Sequence, residues 1–549
     1  MLCFPGGTTP RDPPASGGTH PPGPPLGGIG RAALLIGAIT MLARAIGFGR
    51  QLVFAHTVRA SCLGTAYTTA NMVPNIIYDI VLGGALTAVV VPVLAGDSDS
   101  ERSRQTSSAL LTWTVLLLAP VSVVVAAIAN PLVSVLLGDA PGCPRASMVT
   151  VGGRMLMVFA PQILLYGVAV VLYGILQSHR RFAAPALAPV VSSLVVIGTY
   201  LWFGGVSGTK LTTTAWPILA IGTTAGVAAL VMTPLVPSGK LRLRLRPALR
   251  FPDGVAGRVR SLAAAGIATL IAQDASTGVV IVLANSRGGG GALVLYSYAW
   301  AVFFLPYAVL AVPIATSAFP DLSARAAVAD TAGFDSTTAA SARAVIVASW
   351  LGAAVLAGVC LPLARVFESH DAADARQLAI AFALFAPGLV GYGLIAGLSR
   401  VLYAYGRNRP AAFAVCVGWL LVIVADLLIV PFVPRSWVVP ALGAGTTIGL
   451  TVAGVMLLVL VGRARGGAAL RGCLRAAVAG LIAALAGGAV GWGVSVGIHA
   501  SAFGPSVGVT ILASAAVLAV FAGVAVLLGA AGVVDGGDLR TLLRRVVRA

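Results

Sequence analysis

Long apolar segments recur along the whole chain and are separated by short segments that carry most of the charged residues. Each apolar segment has about 20 residues or more, the length that an α-helix needs to cross a hydrocarbon core of about 30 Å. The pattern predicts an all-α polytopic membrane protein with about fourteen transmembrane helices. The predicted spans are 32–56, 63–96, 108–130, 148–176, 183–204, 214–236, 261–284, 291–318, 342–364, 377–405, 411–433, 437–461, 472–494 and 507–531.

Composition supports this class of protein. The 549 residues are 58% hydrophobic and only 10% charged, whereas an average soluble domain is about 25% charged. The first 30 residues are rich in Pro and Gly and lack the apolar segment of a signal peptide. We therefore expect a disordered tail there.

The charge pattern predicts the orientation in the membrane. The net charge is +19, an excess that would suggest nucleic acid in a soluble protein. With a cytoplasmic N-terminus, fourteen spans place 25 Lys and Arg inside and seven outside. This asymmetry follows the positive-inside rule, so we expect both termini in the cytoplasm and no nucleic-acid partner. The most basic loop, KLRLRLRPALR at 240–250, is either a topological anchor or a surface for anionic membrane lipids.

An internal repeat divides the chain. FAPQILLYG at 159–167 and FAPGLVGYG at 385–393 match at an offset of 226 residues, which equals six predicted helices. An even number of helices preserves the crossing direction, so we expect two parallel six-helix lobes around a central cavity, plus two C-terminal helices. The predicted units are a tail (1–30), an N-lobe (31–238), a basic loop (239–260), a C-lobe (261–462), two further spans (463–534) and a basic tail (535–549).

Ionisable and polar side chains within the first two spans indicate a binding site. Arg44 and Arg50 lie in span 1, and Asn71, Asn75 and Asp79 follow one face of span 2. Such groups face a protein interior or a water-filled cavity by default. One alternative is a structural ion pair between Arg44 and Asp79. The other is an aqueous cavity with surplus positive charge, which suits an anionic and especially a phosphate-bearing substrate because guanidinium donors match phosphate oxygens.

The second lobe carries two acidic residues at similar predicted depth, Asp274 in span 7 and Asp426 in span 11. Together with the hydroxyls of Thr446 and Thr447 they form a candidate site for a coupling ion, Na⁺ or a proton. The alternative is that each Asp is neutral and hydrogen-bonded to a neighbouring helix.

Other site chemistry is not indicated. The six cysteines lie far apart without CxxC spacing, so neither a disulfide scaffold nor a zinc site is expected. No enzyme motif occurs in a suitable context, and no catalytic residue, metal or cofactor is predicted. Transport without an ATP site must use an ion gradient or the membrane potential, or run passively.

Three segments carry a resemblance to a known family. LARAIGFGRQ (42–51) and TANMVPNIIYDIVLGGALTAVVVPVL (69–94) resemble the first two helices of the MurJ/MviN lipid II flippases, and LPYAVLAVPIATSAFPDLS (305–323) resembles their eighth helix. These proteins belong to the multidrug/oligosaccharidyl-lipid/polysaccharide exporter superfamily. The Ile76–Asp79 variant is similar to actinobacterial members.

The resemblance implies flipping of lipid II, an undecaprenyl-pyrophosphate-linked precursor, to the outer leaflet of the bacterial plasma membrane for cell-wall synthesis. Arg44 and Arg50 match two cavity arginines of the family. Asp274 and Asp426 fall on the helices that carry a sodium site in some members. Wall-synthesis proteins are the expected protein partners. Three positions depart from the family pattern, which has Asp, Arg and Arg where this chain has Thr65, Tyr78 and Ala301.

Two rival functions remain open at this point. An exporter of another polyprenyl-linked glycan or of a small molecule would share the architecture. A non-transporting scaffold for wall-synthesis enzymes would not need the cavity arginines, whereas it would need the loops and tails.

Overall fold

A computed structural model describes residues 26–80, 101–179, 181–206, 215–239, 247–249, 255–500 and 507–530. All regular structure within these residues is helical. Several predicted features lie wholly or largely outside them: most of the Pro/Gly-rich tail, the second half of span 2, most of the basic loop at 239–260 and the basic C-terminal tail.

Nineteen α-helices follow one another in the described residues. They are α1 (Leu26–Thr57), α2 (Cys62–Ile80), α3 (Glu101–Ala127), α4 (Ala129–Leu137), α5 (Arg145–Phe159), α6 (Pro161–Ser178), α7 (Ala183–Val206), α8 (Trp216–Gly239), α9 (Val255–Leu283), α10 (Ala292–Pro306), α11 (Val312–Ala327), α12 (Thr331–Gly358), α13 (Cys360–Phe367), α14 (Ala372–Phe385), α15 (Gly388–Ala404), α16 (Asn408–Ile429), α17 (Val438–Arg465), α18 (Cys473–Ala500) and α19 (Val507–Ala530). Single π-helical turns follow α9 (Ala284–Gly288) and α10 (Tyr307–Ala311).

The described helices include ten spans that are long and apolar enough to cross a membrane, or eleven if the bent pair α14 and α15 counts as one span. Three further predicted spans, 32–56, 63–96 and 507–531, overlap with α1, α2 and α19, and the part of span 63–96 beyond Ile80 lies outside the described residues. The all-helical polytopic class is therefore confirmed, while the number fourteen stays a prediction.

The repeated motif breaks a helix at the same place in each lobe. Helix α5 ends at Phe159 and α6 begins at Pro161, whereas α14 ends at Phe385 and α15 begins at Gly388. Proline lacks the N–H that would continue the helical hydrogen bonds and its ring displaces the preceding turn. The α14–α15 break bends the chain by 44°.

Helices pack mainly on other helices of the same lobe, and a few contact the other lobe. In the N-lobe α1 packs on α7, and α2 packs on α5; in the C-lobe α16 and α15 both pack on α17. Helices α18 and α19 pack on each other and on α12. The lobes meet where α9 and α10 contact α2, and where α10 contacts α1.

A disulfide joins Cys62 to Cys143, with 5.8 Å between their Cα atoms. The cysteine spacing did not indicate this bond, because the two residues are 81 positions apart. We call this end of the bundle, which also carries residues 58–61, 138–144 and 284–291, the disulfide end.

Candidate functional site

A cavity of about 670 Å³ lies between the two lobes. Its walls come from α1, α2, α6, α7 and α8 of the N-lobe and from α9, α10 and α16 of the C-lobe. The cavity brings together six of the nine residues that the sequence singled out: Arg44, Arg50, Asn71, Asn75, Asp79 and Asp274.

The two cavity arginines have no acidic partner. Within the described residues, neither Arg44 nor Arg50 has a carboxylate oxygen within 4.0 Å, so the alternative of an Arg44–Asp79 ion pair is not formed. The guanidinium of Arg44 instead lies 5.1 Å from the ring centroid of Phe304 on α10. A cation over an aromatic face is stabilised while its N–H donors stay available. Positive charge in the cavity is therefore available to a ligand.

One face of α2 forms the polar wall of the cavity. Asn71, Asn75 and Asp79 all line it, as their spacing of four residues predicts. The hydroxyl of Tyr166, a residue of the repeated motif, donates to Asn75 Oδ1 at 3.1 Å. The ring of Tyr166 also packs against that of Tyr78 at an angle of 37°, with 4.3 Å between centroids. These contacts fix the Asn75 amide and the orientation of this wall.

Sequence reasoning missed a chain of hydroxyls in the cavity wall. Tyr67 lies 2.8 Å from both Tyr200 and Thr223, and Thr223 donates its proton to Leu219 O at 2.7 Å. Tyr67 must then donate to Thr223, and Tyr200 to Tyr67, because each hydroxyl has one proton. The free end of the chain is an acceptor oxygen on Tyr200. Tyrosine and threonine are common in membrane helices, so the sequence carried no signal for this network.

The two acids of the C-lobe occupy different environments. Asp274 lines the cavity, as Asp79 does on the neighbouring helix α2. Asp426 is 0% exposed and does not line the cavity. The structure therefore places these two acids in separate surroundings.

Asp426 lies where α16 packs on α17. Neither of its carboxylate oxygens has a hydrogen-bond partner among the described residues. The space beside it exists because residue 445 is glycine, since a Cβ there would collide with Asp426 Oδ1. Thr446 is adjacent and donates to Leu442 O at 2.8 Å, whereas Thr447 donates to Leu384 O of α14 at 2.7 Å. Both threonine hydroxyl protons are thus donated to backbone carbonyls, Thr446 within its own helix and Thr447 to α14.

Comparison with known proteins identifies the family. A sequence profile described as Lipid II flippase MurJ matches residues 54–507. The chain belongs to this family. A lipid II flippase MurJ of Burkholderia cenocepacia is 26% identical over 438 residues, which cover 76% of this chain and 81% of that protein. A probable lipid II flippase MurJ of Rhizobium tropici is 26% identical over 296 residues, 53% of this chain and 54% of that protein.

Solved structures show the same fold. A structure titled lipid II flippase MurJ in an inward closed conformation superposes with a TM-score of 0.71 at 16% identity, covering 91% of this chain and all of that one. An inward-facing multidrug transporter of the MATE family, from the MOP superfamily, gives 0.63 at 14% identity over 80% of this chain and 98% of that one. The chain therefore shares its fold with both structures.

The three departures from the family pattern have defined environments. Thr65 is buried at the disulfide end and accepts a hydrogen bond from the backbone N–H of Gly291 at 2.8 Å. Tyr78 packs against Tyr166, and Ala301 lines the cavity without a charge. Among the described residues that line the cavity, the positive charge therefore comes from Arg44 and Arg50 of α1.

Proposed function

We propose that this chain moves lipid II from the inner to the outer leaflet of a bacterial plasma membrane by alternating access. One observation carries the proposal: Arg44 and Arg50 line a cavity between the lobes and have no carboxylate partner in the described residues. Membership of the MurJ family and the names of the relatives support the cargo. The chain is a transporter and not an enzyme.

The cavity suits a diphosphate. A guanidinium without a partner at membrane depth is costly, and a bound anion would relieve that cost. Arginine also offers a planar fork of N–H donors that matches two phosphate oxygens at once. The Asn71 and Asn75 amides add neutral donors and acceptors for the remainder of a polar headgroup. The polyprenyl tail stays in the bilayer while the headgroup occupies the cavity.

The contact between Arg44 and Phe304 couples the cargo to the lobes. Arg44 belongs to α1 of the N-lobe and Phe304 to α10 of the C-lobe. A diphosphate that draws Arg44 toward its oxygens weakens this contact between the lobes. Cargo binding thereby favours a rearrangement of one lobe against the other, as alternating access requires.

The disulfide supports the orientation that the charge pattern predicts. Disulfides persist outside the reducing cytosol, so the disulfide end is assigned to the outer face of the membrane. With the loop after α1 outside, the N-terminus lies in the cytoplasm. Two independent features, one of charge and one of cysteine pairing, thus give the same assignment.

Asp426 is the proposed site of ion coupling. A buried carboxylate without hydrogen-bond partners is strongly destabilised unless it takes up a proton or a cation. The residues present fit Na⁺ or H⁺, because the hard carboxylate oxygens of Asp426 on α16 lie against Gly445 of α17, the residue before Thr446. Asp274 lines the cavity together with Asp79 instead. Recruitment of wall-synthesis proteins stays a prediction.

Reconstitution in vesicles tests the cargo. Vesicles loaded with lipid II on the inner leaflet would be mixed with an impermeant enzyme or antibody that recognises its headgroup outside. We expect exposure of lipid II in vesicles that contain the chain and none in empty vesicles. For the variants Arg44→Ala and Arg50→Ala, the matched control is Arg154→Ala. Arg154 is an exposed arginine within a span and does not line the cavity.

The outcomes separate the rival functions. Exposure of another polyprenyl-linked glycan, with none of lipid II, would assign a different exporter. No exposure of either cargo, with normal growth of cells carrying Arg44→Ala and Arg50→Ala, would favour a scaffold.

A further inference from the structure

The segment that links α9 to α10 crosses from the C-lobe onto the N-lobe at the disulfide end. The N–H of Gly290 donates to Pro141 O at 3.2 Å, and the N–H of Gly291 donates to Thr65 Oγ1 at 2.8 Å. Both acceptors belong to the N-lobe. Backbone groups of one lobe are therefore paired with the other lobe.

Glycine is required for this close approach. Gly289 and Gly291 have φ angles of 82° and 93°, in the region that side chains rarely adopt. A Cβ on Gly289 would lie 2.5 Å from Pro141 O, and one on Gly291 would lie 2.7 Å from Ala60 O. The glycine run at 288–291 thus fits the surface of the N-lobe, which no bulkier sequence could do at these distances.

Asn285 adds a side-chain bridge between the lobes. It lies in the π-helical turn after α9 and is 0% exposed. Its Nδ2 donates to Thr69 Oγ1 on α2 and to Leu136 O on α4, each at 3.0 Å. Its Oδ1 is buried without a hydrogen-bond partner among the described residues. The closed arrangement therefore keeps one unsatisfied acceptor, which makes it easier to open than a fully paired contact.

The disulfide holds together the surface on which this segment rests. Cys62 begins α2, and Cys143 lies in the loop between α4 and α5. A Cβ on Gly290 would collide with Cys143 Sγ, so the glycine lies directly against the bond. Without the covalent link, the loop that supplies Pro141 O would be tied to α2 by weaker contacts only.

We propose that Asn285 and residues 288–291 lock the disulfide end of the cavity, and that the Cys62–Cys143 disulfide keeps the N-lobe half of this lock as one rigid surface. Thr65 and Thr69 lie on the same helix as the cavity residues Tyr67 and Thr68, so the lock closes the adjacent end of the cavity. The direction of opening rests on the proposed function. Opening separates the C-lobe segment from an intact disulfide-linked surface.

Access of an impermeant thiol reagent to the cavity tests the lock. Ser297→Cys places a thiol on α10 in the cavity wall, one to two turns from the lock. In intact cells we expect Asn285→Ala to raise its labelling rate about tenfold, the factor that corresponds to about 1.4 kcal/mol. Thr65→Val should raise it, whereas Thr65→Ser keeps the acceptor and should restore the parental rate. Asn130→Ala is the matched control, because Asn130 is an exposed asparagine on α4, the helix that also carries Leu136.

A second arm tests the disulfide. The double variant Cys62→Ser, Cys143→Ser should also raise the labelling of Ser297→Cys from outside. Permeabilised cells confirm that every variant is folded in the membrane and carries a reactive thiol. Unchanged labelling in Asn285→Ala would overturn the lock, and unchanged labelling in the double serine variant would overturn the role of the disulfide. The readout is access and not transport, so failure of the lipid II assay leaves it interpretable.

Discussion

The close packing of α15 on α17 predicts different effects of alanine substitution at two glycines of α15. A Cβ on Gly391 would lie 2.5 Å from Leu450 C and 2.6 Å from Thr451 N, and would also collide with Leu450 O. Carbon atoms in contact normally stay about 3.5–4.0 Å apart. The obstructing atoms are backbone, so no side chain can rotate away and the helices must separate by about 1 Å.

Gly391→Ala should therefore destabilise the protein. Overpacking typically costs about 1–3 kcal/mol, and we expect the upper end here because three backbone atoms are involved. Gly397→Ala is the matched control on the same helix, since its nearest neighbour would be Val345 Cγ2 at an ordinary 3.6 Å. That substitution should stabilise by about 0.5–1 kcal/mol, because glycine loses more entropy in a helix than alanine.

Thermal unfolding of the two purified variants in the same detergent or nanodisc measures the difference. We expect the unfolding temperature of Gly391→Ala to fall well below that of the parent, and that of Gly397→Ala to equal or exceed it. Equal unfolding temperatures for Gly391→Ala and the parent would refute the close approach of α15 and α17.

Three further predictions concern the cavity, the ion site and a cation at the opposite end. Phe304→Leu removes the ring beneath Arg44 and should change cargo affinity by up to about tenfold in a binding assay, with Phe304→Tyr unchanged. Asp426→Asn should abolish dependence of transport on Na⁺ or the membrane potential in vesicles; persistence of that dependence would exclude Asp426 as the coupling site. Asp335→Asn removes the carboxylate that pairs with Arg465 at 2.8 Å, and should cost about 1–2 kcal/mol of unfolding free energy by denaturation, because Arg465 is partly exposed and keeps its bond to Thr331 O.

Much of the helical organisation follows from the sequence pattern. Apolar length placed the spans, and the repeated FAP motif correctly marked equivalent positions, where α5 gives way to α6 and α14 to α15. The polar face of α2 and the arginines of α1 line the cavity, while their role in substrate binding stays a prediction. These features depend on periodicity and on the cost of charge in lipid, both of which are local properties of the chain.

Tertiary contacts could not be predicted from these local properties of the chain. Asp274 and Asp426 lie at similar predicted depths, but a span boundary does not fix how each helix is rotated about its axis. Asp274 lines the cavity, whereas Asp426 lies at the α16–α17 contact. For the Cys62–Cys143 bond the sequence carried one usable signal, because both cysteines lie in loops that the charge pattern assigns to the same side of the membrane. Asn285 gave none, because its role depends on a π-helical turn and on two partners in the other lobe.

The central claim is that unpaired guanidinium groups in the cavity receive the diphosphate of the cargo. The direct measurement is the affinity of purified protein for lipid II, compared among the parent, Arg44→Ala, Arg50→Ala and the control Arg154→Ala. Hydrogen bonds to charged groups contribute about 1.5–3 kcal/mol each, so each cavity variant should bind at least about tenfold more weakly, while Arg154→Ala keeps the parental affinity. Parental affinity in both Arg44→Ala and Arg50→Ala would contradict the account.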